Sequence, residues 1–153
     1  MAAFRNRFPD ASAECSAVEG SEFFGRTFDG VIAWCLMFLM PPEIQSVVIR
    51  KVARALNLGG KFLFTSPKES VKWHDALTDR ESISLGTEQY QRILRAEGLV
   101  LIGEECDEGN NYYYIFVFQS LRRNLSSCQI GNRVVSGRRR TRKLSLIQWK
   151  NSS

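Results

Sequence analysis

Two stretches decide how this chain folds: FDGVIAW at residues 28–34 and NLGGKFLFTS at residues 57–66. The first is apolar beyond Asp29, apart from Gly30, and has the length of a strand. The second turns on Gly59-Gly60, then runs through Phe62, Leu63 and Phe64 without a polar break, as a strand covered on both faces does. Between them, Ile44, Val47, Val48, Ile49, Val52, Ala53 and Leu56 form the apolar side of one helix, with acidic Glu43 in its first turn. Pro41-Pro42 open that helix, where an amide has no partner to lose. Arg50, Lys51 and Arg54 fall in its last turns, where cations suit the helix dipole. The paired glycines are expected to stop it. Strand, helix, strand in this order predicts parallel neighbours in an α/β fold.

Outward from this unit the reading is less regular. AAFRNRF (2–8) carries two phenylalanines four apart and fits the last turns of a helix that stops before Pro9. AECSAV (13–18) is expected to form a short strand. CLMFLM (35–40) reads as a buried strand end and turn. VKWHDALTDRESISL (71–85) is expected to be an irregular polar insertion around Trp73. Thr87 is placed to cap a helix over TEQYQRILRAEG (87–98), whose stripe of Tyr90, Ile93 and Leu94 ends at Gly98. LVLIGEECDEGNNYYYIFVF (99–118) then reads as an antiparallel hairpin with DEGNN as its turn. In such a sheet a ligand sits beyond the carboxyl ends of the strands, here SAVEG, AWCLM and TSPKE.

Charge divides the chain. Residues 1–120 hold 12 Lys/Arg and 16 Asp/Glu, whereas residues 121–153 hold nine Lys/Arg and no acid. The formal +5 therefore belongs to a tail, and the body is mildly acidic. The nine-residue apolar run IAWCLMFLM is about half of what a bilayer crossing requires. MAAFRNRFPD is mixed and polar and does not read as a cleavable signal. Four cysteines with no knuckle spacing and a single His74 give no metal set. Cys15 and Cys35 lie in apolar stretches and are expected to be buried, in a reduced, cytoplasmic protein.

Taken together, FDGVIAW, the helix running into RALNLGGKFLFTSP and the closing hairpin through YYYIFVF resemble the back portion of a class I S-adenosylmethionine-dependent methyltransferase. The resemblance spans residues 13–118. It implies an α/β fold: a partial Rossmann-like methyltransferase sheet, mostly parallel, with an antiparallel C-terminal hairpin strand. It implies S-adenosylmethionine as the cofactor of the complete domain and a small-molecule methyl acceptor. Site positions carry over residue by residue. Ser16, Ala17 and Val18 match the strand end that meets the adenine ring. Ala33, Trp34 and Cys35 match the strand end beside the methionine part, and Met37 and Phe38 match the turn that follows. Where relatives often place an Asp near the adenine, this chain has Ser16, with Glu19 the nearest acid.

The family's glycine-rich first strand and loop, and the second strand with its ribose-binding acid, have no counterpart in this sequence. Gly59-Gly60 are no substitute, because they precede a strand instead of leading into a helix. The expectation is a partial methyltransferase domain over 1–118 and a basic, disordered tail over 119–153. Such a domain has a sheet edge at 28–34 open to self-association, and its methyl transfer is impaired in the chain alone. The alternative is a noncatalytic fragment, or a basic protein that meets nucleic acid through residues 133–143.

Methyl transfer asks chiefly for alignment of donor and nucleophile, so no catalytic side chain is assigned. His74 and Asp75, beyond the Ser66-Pro67 turn, are placed to border an acceptor or simply to be solvated. Tyr112, Tyr113 and Tyr114 are expected to alternate across a hairpin strand, Tyr113 facing away from its neighbours. The acidic GEECDEGNN lacks calcium-loop spacing. Trp34 reads equally as core and as pocket wall.

Overall fold

The computed structural model of the chain describes residues 2–120 and the backbone of Ser145–Ile147. Its elements are α1 (Ala2–Arg7), β1 (Phe28–Ala33), α2 (Pro42–Ala55), β2 (Leu56–Thr65), β3 (Ser70–Asp75), β4 (Arg80–Leu85), α3 (Thr87–Ala96), β5 (Leu99–Cys106), β6 (Tyr112–Phe118) and β7 (Ser145–Ile147). Short 3-10 turns at Phe23–Gly25 and Met37–Leu39 flank β1.

The main sheet has the order β5-β6-β2-β1-β7. β1 runs parallel to β2 and to β7, while β6 is antiparallel to both β2 and β5. One strand therefore runs against the other four, giving the mostly parallel α/β sheet with an antiparallel hairpin strand that the sequence predicts.

Register sorts the side chains into two faces. Val31 pairs with Phe62 and Ala33 with Phe64, and those phenylalanines pair in turn with Phe116 and Tyr114. This face is fully buried: Phe62, Phe64, Tyr114 and Phe116 have no exposed surface. Val48, Ile49 and Val52 of α2, with Tyr90 and Leu94 of α3, join it in one core. Aromatic contacts knit the centre, with Phe64 5.0 Å from Tyr114 and 5.1 Å from Tyr90 between ring centroids. On the other face Ile32, Leu63, Ile115 and Val117 are only half-buried, and Val100 and Ile102 of β5 are exposed.

Several expectations are corrected. Residues 13–18 are irregular, with a bend at Ser16 and a turn opening at Val18, and form no strand. α2 stops at Ala55 and β2 begins at once, so the glycines lie inside the strand. Phe28 pairs with Leu56 but Gly30 with Lys61, so β2 bulges out between those partners, and Gly59 takes a φ of 79° there. The segment 71–85 is a regular antiparallel hairpin, with Trp73 opposite Ser82. The positions it buries include the polar Ser82 and Ser84, while Val71 and Leu77 are exposed, which hid the alternation. Thr87 does not cap α3: Gly86 is the N-cap, and the Thr87 hydroxyl lies 2.8 Å from the Tyr114 hydroxyl. Cys15 and Cys35 are exposed, because Cys15 lies in irregular chain and Cys35 in a turn, neither in a strand. The edge of β1 expected to be open carries β7. The basic stretch 133–143 lies outside the described residues. No described helix is long and apolar enough to cross a membrane.

Candidate functional site

The carboxyl ends of β1 and β2 meet at a strained turn. β1 ends at Ala33, and Cys35 then takes a φ of 48°, unusual for a residue with a side chain. The Cys35 amide donates to Thr65 Oγ1 at 2.7 Å, so the hydroxyl at the end of β2 holds this turn in place. Trp34 projects outward, 54% exposed, with its ring 5.2 Å from that of Tyr113. The chain then re-enters the core through Leu36 and Met37, and Phe38 that follows is half-buried.

Beside this turn lies a half-open cleft of about 450 Å³. Its floor is the β2 exit, Thr65, Ser66 and Pro67, with Lys68 and Glu69 on the rim. Phe38 and Trp73 form one wall, their rings 5.3 Å apart. Tyr112, with Cys106, Asn110 and Asn111 from the β5–β6 end, forms the other. The volume suits a small organic molecule.

The floor rests on a buried polar network that ties four elements together. Gln45 of α2, fully buried, donates from Nε2 to the carbonyls of Met40 and Ile83, 2.8 Å each. Tyr90 of α3 donates its hydroxyl to Gln45 Oε1 at 2.7 Å and lies 2.9 Å from Ser66 Oγ. Ser66 donates to Ser84 Oγ at 3.1 Å, and Ser84 to the Pro67 carbonyl at 2.7 Å. Burial pushes the Tyr90 hydroxyl above its ordinary value, so it stays protonated and donating at neutral pH. The network fixes the β2 exit against β4 and both helices.

At the β5–β6 turn, Asp107 accepts from the Asn111 amide at 2.8 Å and from the Tyr113 hydroxyl. The Tyr113 hydrogen bond is the largest of several that hold the Asp107 carboxyl below its ordinary value of 3.8. In return it pushes the Tyr113 hydroxyl up to about 12. Tyr113 faces Trp34 while Tyr112 and Tyr114 face the other way, the alternation the sequence predicts.

Of the eight residues assigned to a cofactor, only Phe38 lines the cleft. Trp34 and Cys35 form the adjoining exposed surface, whereas Ala33 and Met37 are buried in the core. Ser16 and Ala17 are exposed on their loop, and half-buried Val18 packs against the core. Ser16 Oγ donates to Glu14 Oε1 at 2.6 Å and the Cys35 amide to Thr65, so those two donors are engaged within the chain. These positions fit S-adenosylmethionine in part: Trp34 and Phe38 supply aromatic surface, while the Ser16 hydroxyl proton and the Cys35 amide are already committed. Sequence reading missed Lys68, Asn110 and Asn111 of the cleft, and the Gln45 beneath it. Gln45 had a signal, for it lies three and four residues before Val48 and Ile49 on the buried stripe. His74 and Asp75 do not border the cleft. His74 is exposed near Asp79, and Asp75 accepts from the amides of Leu77 and Thr78 within its own turn.

No protein-family model and no curated protein matches the sequence. Solved structures do. The 1,6-didemethyltoxoflavin-N1-methyltransferase of Burkholderia thailandensis, bound to 1,6-didemethyltoxoflavin and S-adenosylhomocysteine, superposes with a TM-score of 0.63 at 13% identity. The match covers 78% of this chain and 56% of that one. A methyltransferase from Clostridium acetobutylicum gives a TM-score of 0.60 at 11% identity, covering 78% and 69%. The fold is that of a class I S-adenosylmethionine-dependent methyltransferase, in its C-terminal part. CalS10, an amino pentose methyltransferase from Micromonospora echinaspora solved with S-adenosylmethionine, agrees at a TM-score of 0.58 and 13% identity, covering 77% and 69%. The chain spans just over half the length of the Burkholderia thailandensis methyltransferase.

Proposed function

We propose that this chain forms the acceptor side of a small-molecule methyltransferase and one wall of its S-adenosylmethionine site. The observation that carries this reading is the coincidence of two features. The mostly parallel sheet superposes on that fold, and an aromatic cleft opens at the carboxyl ends of β1 and β2. Open α/β sheets bind ligands at this end.

In this reading Trp34 and Phe38 meet the cofactor, with Cys35 presenting the turn between them. Ser16, Ala17 and Val18 stand at its adenine end, and Ala33 and Met37 back the site from the core. When bound, the cofactor supplies an activated methyl group. The protein's part is positioning. Thr65 fixes the Cys35 turn through its amide. Phe38 and Trp73 exclude water from one side of the cleft, and the Gln45–Tyr90–Ser66 network keeps its floor from shifting. No general base is required where the acceptor is itself nucleophilic. Residues 1–118 form the domain in this reading, with Ser145–Ile147 adding β7 at the edge of its sheet.

The test is transfer of radiolabelled methyl from S-adenosylmethionine at millimolar concentration to a panel of aromatic amines and phenols, using the full chain. Label should appear in at least one acceptor and fall more than tenfold with Trp73→Ala. Absence of label in every acceptor, with the protein folded, sinks the proposal.

A further inference from the structure

The cleft carries a chemical preference of its own. Tyr112 offers its ring to the interior, and the Lys68 ammonium already sits 5.6 Å above that ring's centroid. This is the position a cation takes on an aromatic face. The Tyr112 hydroxyl donates to Glu104 Oε2 at 2.9 Å, which enriches the ring in electrons. Glu104 Oε1 is buried and has no hydrogen-bond partner among the described residues. Lys68 makes no ion pair among them either.

Two carboxylates stand near the Tyr112 ring: Glu69 on the rim of the cleft, and Glu104, which accepts from the Tyr112 hydroxyl. A ligand anion finds only Lys68 as a cationic partner among the lining residues. A ligand ammonium meets an aromatic face that a cation already occupies and, on the rim, the Glu69 carboxylate.

We propose that the cleft binds an amine-bearing aromatic small molecule, its ammonium over Tyr112 in the place of Lys68 and its ring against Phe38 and Trp73. Lys68 acts as an internal stand-in that the ligand displaces. The proposal rests on the methyltransferase reading only in calling this ligand the acceptor; the binding preference stands on the cleft alone.

Three probes of one shape and different charge decide it: 2-phenylethylamine, 2-phenylethanol and phenylacetate, each titrated into the full chain by ligand-observed NMR without cofactor. The amine should bind at least tenfold tighter than the alcohol and the acid, and salt should weaken it. Lys68→Met, at an exposed rim position, should tighten the amine several-fold and leave the alcohol within twofold. Such a gain cannot come from misfolding. Tyr112→Leu should erase the preference for the amine. Equal binding of the three probes, a preference for the acid, no binding at millimolar concentration, or an amine affinity unchanged by Lys68→Met overturns the proposal. Amine preference without any label transfer in the methyl assay refutes the methyltransferase reading and leaves this one standing. Transfer without amine preference does the reverse.

Discussion

At the scale of single residues, the most consequential position is Gln45. It is a polar side chain with no exposed surface on a helix face otherwise apolar, and its amide serves Met40, Ile83 and Tyr90 at once. Buried polar groups are tolerated only when paired, and each one orphaned costs roughly 1–3 kcal/mol. Gln45→Ala removes three hydrogen bonds and leaves a cavity beneath Ser66. It should lower stability by about 2–4 kcal/mol in urea titration. A change below half a kcal/mol would show that the network does not bear on the floor of the cleft. Gly86 is a second position of this kind. Its φ of 79° with ψ of 159° is a conformation open essentially to glycine, and a Cβ there would lie 2.8 Å from the Ser70 amide nitrogen.

At the scale of elements, legibility followed hydrophobic contrast. β1, α2, α3 and the 99–118 hairpin could be read because each sets apolar against polar at a clear period. The β3–β4 hairpin could not. Its inward positions include the polar Ser82 and Ser84, and Ser84 is paired with Ser66 from the exit of β2, a partner that no local pattern displays. For the same reason the cleft was half legible. Phe38 and Trp73 come from separate elements, and only the folded hairpin brings their rings together. Strand β7 had no signal, being three residues within a basic stretch. The DEGNN turn, by contrast, was readable and makes a prediction of its own. Asp107 has its folded pKa depressed below 3.8 by the bonds from Tyr113 and Asn111. A depressed carboxyl contributes stability that is present above the unfolded pKa and lost as pH falls through the folded one. The Asn111 amide resonance should therefore hold constant from neutrality to about pH 4 and move only in stronger acid. Asp107→Asn should abolish that movement. A midpoint at or above the ordinary value would contradict the hydrogen bonding described.

At the scale of the whole molecule, the sheet is asymmetric. One face is sealed by α2 and α3, and the other shows half-buried aliphatic side chains among the described residues. Neighbours in sequence on β6 should therefore differ widely in their cost. Phe116→Ala, on the sealed face, should cost about 3–5 kcal/mol, whereas Val117→Ala should cost about 1 kcal/mol or less. Comparable losses at the two positions would mean that the second face is covered as well. The same asymmetry bears on the proposed function, because the exposed surface around Trp34 offers aromatic contact while the adjoining Cys35 amide is already engaged with Thr65. Binding there should be weak and should depend on the indole. The decisive measurement is a calorimetric titration of S-adenosylhomocysteine into the full chain and into its Trp34→Ala variant, both confirmed as folded. Saturable binding weaker than about 100 μM that disappears in the variant is the expected result. No saturation, or binding indifferent to Trp34→Ala, would contradict the placing of a cofactor wall at the end of β1.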